Sequence, residues 1–279
     1  MNRPEDIKIT VATVTYNAES MLEPTLHSVE EQTHRNVEHL IVDGNSSDNT
    51  LELVREYLER NGAEAERHEI ILVSEPDEGL YDAMNKALQK ATGHYIVYLN
   101  AGDTFHSADT LETVARFACR HASGEALPAV VYGQTDVVDE EGNYLHPRHL
   151  TAPARLTWRS FQRGMLVCHQ AFYARTDLAQ QCPYDRRYRF SADFDWCVRI
   201  MRKAARKKLP LIYTGTTVAD FMDGGMTTKN HSLSLRERFR IMTPSHKCIF
   251  TRHKRVRATT RPIRPTDTPL RPTIASTIM

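Results

Sequence analysis

The sequence predicts an α/β fold, a mostly parallel, Rossmann-like sheet flanked by helices, with a second and less regular half beside it. Three observations carry that expectation. Over roughly the first hundred residues, short β-rich apolar runs alternate with helical periodicity, the pattern of a parallel sheet covered by helices. Carboxylates and glycines cluster immediately after successive runs. The chain of 279 residues, 41% hydrophobic and 25% charged, suffices to bury a large core.

Ile7 to Val14, Val37 to Val42, Ile70 to Val73 and Tyr95 to Leu99 read as the first four strands, and Ala129 to Tyr132 as a fifth. Between the second and third, Leu51, Val54 and Leu58 share one helical face, with Asp48 as cap and Gly62 at the end. Gly79 to Ala91 has apolar positions at 80, 84, 87, 88 and 91 and reads as an amphipathic helix. A further helix starts near Asp109, where Glu112 completes a capping-box spacing. From about 134 to 190 the signals are mixed, with short strands near Cys168 to Tyr173, and the region is expected to lie over the open edge of the sheet. Helices resume at Ser191 to Ala205 and at Leu233 to Met242. After Phe250 the composition turns to Arg, Thr and Pro, and Pro262, Pro265, Pro269 and Pro272 break any regular element. The division expected is a domain over 1–250, made of a nucleotide-sugar-binding half (about 7–133) and an acceptor-side half (about 134–250), followed by a flexible basic tail over 251–279.

The net charge of +1 conceals an asymmetry, because residues 251–279 hold seven Lys or Arg against Asp267. The body is therefore acidic, at about −5, which gives no reason to expect a nucleic-acid partner. No apolar run approaches the roughly 18 to 20 residues that cross a bilayer, and the polar start lacks a signal-peptide core, so a cytoplasmic protein is expected. Five cysteines without a Cys-x-x-Cys pair indicate neither a disulfide framework nor a zinc site.

Open α/β sheets bind ligands at the carboxyl ends of their strands. Here those ends read Thr15-Tyr16-Asn17, Asp43-Gly44-Asn45-Ser46-Ser47-Asp48, Ser74-Glu75-Pro76-Asp77-Glu78-Gly79 and Asn100-Ala101-Gly102-Asp103. Neither Gly-x-Gly-x-x-Gly nor a Walker loop follows the first strand, which disfavours dehydrogenases and P-loop enzymes. Carboxylates can accept hydrogen bonds from a base or ribose and can hold a divalent cation against phosphates. Asp103, on a tight turn that Gly102 permits, is the metal candidate, for Mg²⁺ or Mn²⁺. Asp43 reads as a nucleobase contact or a turn residue. Asp82 and Asn85, three apart on a more polar helix side, face either the donor or solvent.

Taken together, these four segments resemble glycosyltransferase family 2, inverting enzymes of the GT-A fold, over about residues 7 to 226. The resemblance implies a nucleoside diphosphate sugar donor, with Thr15, Asn17, Asp43, Asp77, Asp82, Asn85 and Asn100 on the donor side. The family's metal-binding Asp-x-Asp position falls on Asn100 to Asp103, where the final Asp alone is a carboxylate. The nearer likeness is to bacterial enzymes of capsule, colanic-acid or O-antigen synthesis, which implies a saccharide or lipid-linked saccharide acceptor.

Inversion needs a base for the acceptor hydroxyl, and Ser191-Ala192-Asp193-Phe194-Asp195-Trp196 supplies two carboxylates at a helix start. At 100° per residue Asp193 and Asp195 lie about 200° apart, whereas Asp193 and Trp196 are about 60° apart. The family's base position matches Asp193, so both arguments select it. His169 and Gln170 stand where the family often shows a His-Gln pair near the acceptor, and Gly224-Gly225 resembles its mobile Gly-Gly turn. Alternatives to transfer are a nucleotide-sugar-binding module without catalysis and a sugar nucleotidyltransferase. The latter normally carries a Gly-rich basic loop after strand one, which Thr15 to Glu19 lacks. The basic tail and the helix bearing Arg236, Arg238 and Arg240 either lie on an anionic membrane, as a peripheral contact, or are solvated.

Overall fold

In the computed structural model, which describes residues 3–62, 68–124, 126–223 and 231–243, the strands of both halves join one sheet. The first half gives β1 (Ile9–Thr15), α1 (Leu22–Glu30), β2 (Val37–Asp43), α2 (Thr50–Gly62), β3 (Glu69–Ser74), α3 (Leu80–Lys90) and β4 (Tyr95–Tyr98). Then come β5 (Thr104–Phe105), α4 (Thr110–Arg120), β6 (Val130–Val138), β7 (Tyr144–Pro147), β8 (Phe172–Arg175), α5 (Thr176–Ala179), α6 (Ala192–Lys207), β9 (Leu211–Met222) and α7 (His231–Met242). The sheet runs β3-β2-β1-β4-β8-β6-β9-β5, with β7 on β6. Strands β3, β2, β1 and β4 are parallel in register, so their carboxyl ends share one edge.

Burial follows the patterning. Every residue of β1, β2 and β4 is buried, as strands covered on both faces must be. Helix α6 buries Phe194, Val198 and Met201, the face expected of it. Among the described residues no helix is long and apolar enough to cross a membrane, and the described cysteines are free.

Several local expectations are corrected. The fifth strand extends to Val138 because β9 and β7 continue its pairing past Tyr132. The Asp109–Glu112 capping box does not form. Ser107 donates to Asp109 at 2.7 Å, Glu112 lies 3.2 Å from His34, and Gln32 instead accepts the Leu111 amide of the first turn at 3.0 Å. Asp48, the expected cap, lies two residues before the helix start and accepts the Thr50 amide at 3.0 Å and hydroxyl at 2.6 Å. Cys168 to Tyr173 is not all strand, since His169–Ala171 forms a 3-10 turn before β8. The 251–279 tail lies outside the described residues.

One buried histidine sets a pH limit on this core. His39 of β2 is fully enclosed, with Thr13 Oγ1 and Tyr57 OH each 3.0 Å from a ring nitrogen. Burial, assisted by nearby His68, pushes its pKa down to about 3. The unfolded chain takes up that proton near pH 6.5, so His39 destabilises the folded state progressively as pH falls from about 6.5 toward 3. Urea unfolding of wild type and His39→Gln across pH 7 to 4 should therefore show the wild type losing about 1.4 kcal/mol more per pH unit below 6.5. Parallel curves would contradict a neutral buried ring.

Candidate functional site

The loops that leave β1, β2, β3 and β4 enclose a cleft of about 740 Å³, walled by Thr15, Tyr16, Gly44, Asp77, Leu80 and Asn100 among others. Asp43, at the end of β2, is fully buried beneath it. Its carboxylate accepts from Thr15 Oγ1 at 3.2 Å, the Ser46 amide at 3.0 Å, Ser74 Oγ at 2.8 Å and the Ser46 hydroxyl. Four donors use the lone pairs of both oxygens, so Asp43 is a fastening between three strand ends. Asn17, left-handed at φ 48°, joins the same loops: Oδ1 accepts the Ser47 amide and its own amide donates to Ser46 Oγ, both at 2.9 Å.

Asp77 Oδ1 accepts the Gly79 amide at 2.7 Å. Its other oxygen sits where a Cβ on Gly44 would come within 2.4 Å, so a side chain at position 44 would displace the Asp77 carboxylate. Tyr16, 66% exposed at the cleft mouth, was not singled out by sequence reasoning, although an aromatic in the loop after the first strand was a usable signal. Asp82 and Asn85 turn elsewhere. Asp82 pairs with Arg186 at 2.8 Å, while Asn85 accepts the Tyr184 amide at 2.7 Å and donates to its carbonyl at 3.0 Å. They fasten residues 184–186 to α3 and leave no free carboxamide for a donor.

The centre of the site is the turn at His169 and Gln170. Gln170, buried, donates to Asp103 Oδ2 at 2.7 Å, and the Met222 amide donates to Asp103 Oδ1 at 3.2 Å. His169 Nε2 lies 3.1 Å from Asn100 Nδ2, and its Nδ1 lies 3.7 Å from Asp193 Oδ2, an ion-pair distance too long for a hydrogen bond. With Asn100 as donor, the ring proton resides on Nδ1 and faces Asp193. Asn100 Oδ1 is buried and unpartnered. Two adjacent residues thus join the strand-four turn to the start of α6.

The carboxylates here have opposite electrostatics. Burial pushes the Asp103 carboxyl up to about 6, partly offset by Gln170, His169 and the Met222 amide. Burial also acts on Asp193, but His169, the Phe194 amide at 2.8 Å and Arg238 outweigh it and hold that carboxyl below its ordinary value. Asp193 therefore stays ionised at neutral pH, with Tyr81 OH 3.4 Å from Oδ1. Asp195 points away, into an ion pair with Arg199 at 2.5 Å, as the helical angle requires. Trp196 is a correction: fully buried and stacked on Tyr184 at 5.2 Å, it offers an acceptor no surface and serves as packing behind Asp193. Gly224 and Gly225 lie outside the described residues.

Residues 10–180 match the family described as Glycosyl transferase family 2, and the chain belongs to that family. It is a glycosyltransferase of the GT-A fold. A "PGL/p-HBAD biosynthesis glycosyltransferase" of Mycobacterium bovis (strain BCG / Pasteur 1173P2) is 32% identical over 212 residues, covering 76% of this chain and 75% of the relative. Two solved structures share the fold. S. aureus TarS 1-349 with UDP-GlcNAc superposes at TM-score 0.63 and 19% identity, over 78% of this chain and 59% of that 1-349 chain. The mannosyltransferase PcManGT from Pyrobaculum calidifontis, with GDP-Man and Mn²⁺, superposes at 0.57 and 19% identity, over 84% of this chain and 62% of that one.

Because the Asp103 pKa is raised, its neutral form favours the fold: that stability is complete below about pH 4 and lost as pH rises through about 6. Asp103→Asn should therefore gain on EDTA-treated wild type between pH 4 and 7.5, by roughly 2 to 3 kcal/mol in urea unfolding. A gap independent of pH would refute the raised carboxyl.

Proposed function

We propose that the chain transfers a sugar from a nucleoside diphosphate sugar to an acceptor hydroxyl with inversion, in bacterial surface glycan synthesis. The observation that carries this reading is Asp193, an ionised carboxylate held between His169 and Tyr81 and linked through His169 and Gln170 to the turn bearing Asn100 and Asp103. The acceptor oxygen attacks the anomeric carbon as its proton passes to Asp193. The bond to the donor's phosphate oxygen breaks, and the nucleoside diphosphate leaves with that electron pair. His169 supports Asp193 by placing Nδ1–H toward it.

The residues at the turn fit a hard divalent ion such as Mn²⁺ or Mg²⁺. Asp103 retains lone pairs beyond the two engaged by protein, and Asn100 Oδ1 is an orphaned buried acceptor. When bound, that ion would neutralise charge on the departing diphosphate. On the donor side, Tyr16 offers a face for the base and Asp77 a carboxylate at the wall. Thr15, Asn17 and Asp43 hold the loops that shape the cleft, and Asp82 and Asn85 brace its far side.

The acceptor side supports a saccharide with an apolar portion. A pocket of about 490 Å³ opens beside Phe194, between Phe161, Leu235, Arg238, Phe239 and Met242. Leu233, Leu235 and Phe239 are exposed on α7, which also bears Arg236, Arg238 and Arg240, a pairing suited to an anionic membrane surface carrying a lipid-linked acceptor.

Asp193→Asn should reduce transfer by about 10²- to 10⁴-fold with donor affinity unchanged, whereas Asp195→Asn should cost far less. Assays of free nucleoside diphosphate released with acceptor measure this, and the reverse ranking in folded proteins would overturn the assignment of the base. Tyr16→Ala should weaken nucleotide binding in calorimetry by about 1 to 3 kcal/mol without lowering thermal stability. Asp43→Ala should lower both, since it unties three strand ends; intact stability in that variant would restore Asp43 as a direct base contact.

A further inference from the structure

A second cluster lies where β5, β9 and β6 run side by side. Thr104 of β5 and Asp136 of β6 are both in register with Asp220 of β9, so the three share one face of the sheet, and His106 follows two residues after Thr104 on that face. His106 Nδ1 is 2.9 Å from Asp220 Oδ1, and ligand atoms of His106, Asp136 and Asp220 all lie within 4.8 Å of one another. Among the described residues no other His, Cys, Asp and Glu trio is so gathered.

Like charges directly opposite on neighbouring strands repel. Among the described residues no lysine or arginine pairs with Asp136 or Asp220, and the Asp136 side chain has no hydrogen-bond partner. We propose that His106, Asp136 and Asp220 form a structural binding site for a divalent transition-metal ion, Zn²⁺ or Mn²⁺, separate from the donor-side ion at Asp103. Imidazole favours zinc and its neighbours over calcium or magnesium, and two carboxylates suit manganese or zinc. Ligand atoms about 2.1 Å from one ion lie at most about 4.2 Å apart, close to the 4.8 Å within which these three already lie.

The site's place gives it a role. Strand β5 begins one residue after Asp103, and β9 ends at Met222, whose amide donates to Asp103. The two-residue β5 is held to β9 by a single short ladder. An ion bridging β5, β9 and β6 fastens both segments that position Asp103, and it acts on the frame of the turn without touching substrate.

The test is calorimetric titration of the EDTA-stripped full chain with ZnCl₂ and MnCl₂, without nucleotide, alongside thermal melts. The expected result is one tightly held ion per chain and a rise in Tm. Binding should weaken by about tenfold or more in His106→Ala and Asp220→Asn and persist in Asp103→Asn. Asp136→Asn keeps the side chain's shape and removes no hydrogen bond or ion pair among the described residues, so it should keep the fold and show the same loss. The proposal is overturned if wild type binds neither ion, if Asp136→Asn binds like wild type, or if Asp103→Asn abolishes binding and so places the ion at the donor turn.

Discussion

The site depends on one constraint, that the buried polar side chains of the His169–Gln170 turn find partners. Gln170 satisfies its amide on Asp103, and His169 reaches Asn100 on one side and Asp193 on the other. Such groups are costly to leave unpaired in a protein interior, so the turn fixes the distance between the Asn100–Asp103 turn and the start of α6. Because His169 and Gln170 are adjacent, neither end can shift without disturbing the other. Packing supports the same geometry, with Trp196 between Tyr184, Tyr98 and Phe172 holding α6 against β4 and β8.

Two carboxylates gathered by that turn acquire different chemistry from their surroundings. At Asp103 burial outweighs the Gln170 and Met222 amide donors and the charge of His169, so its carboxyl is raised to about 6. Asp193 is buried too, yet His169, a backbone amide and the Arg238 charge keep it ionised. Divergent environments for nearby carboxylates separate their chemistry, here a raised carboxyl at Asp103 and an ionised one at Asp193.

At the nucleotide end the polar groups are spent differently. Asp43 looks like a ligand residue by position, but hydroxyls and an amide from three strand ends occupy it. The cleft wall is thereby set by side chains that do not reach into the cleft. Exposed Tyr16 and the second carboxylate oxygen of Asp77 are what remain at the cleft wall.

The sequence by itself determined the class of fold and the family. Period-two and helical patterns are local, and the apolar runs of β1 to β4 located strands within one or two residues, in β1, β2 and β4 because burial on both faces demands them. The Asp193 and Asp195 contrast was also legible, since the turn angle of a helix is fixed. Only the tertiary structure decided who partners whom. That Asp43 is saturated, that Asn85 is taken by Tyr184, that Gln32 replaces a capping box and that Trp196 is sealed in the core all depend on contacts between residues distant in the chain. Side-chain chemistry declares what a residue can do, and the free lone pairs and surface left after long-range packing decide what it does.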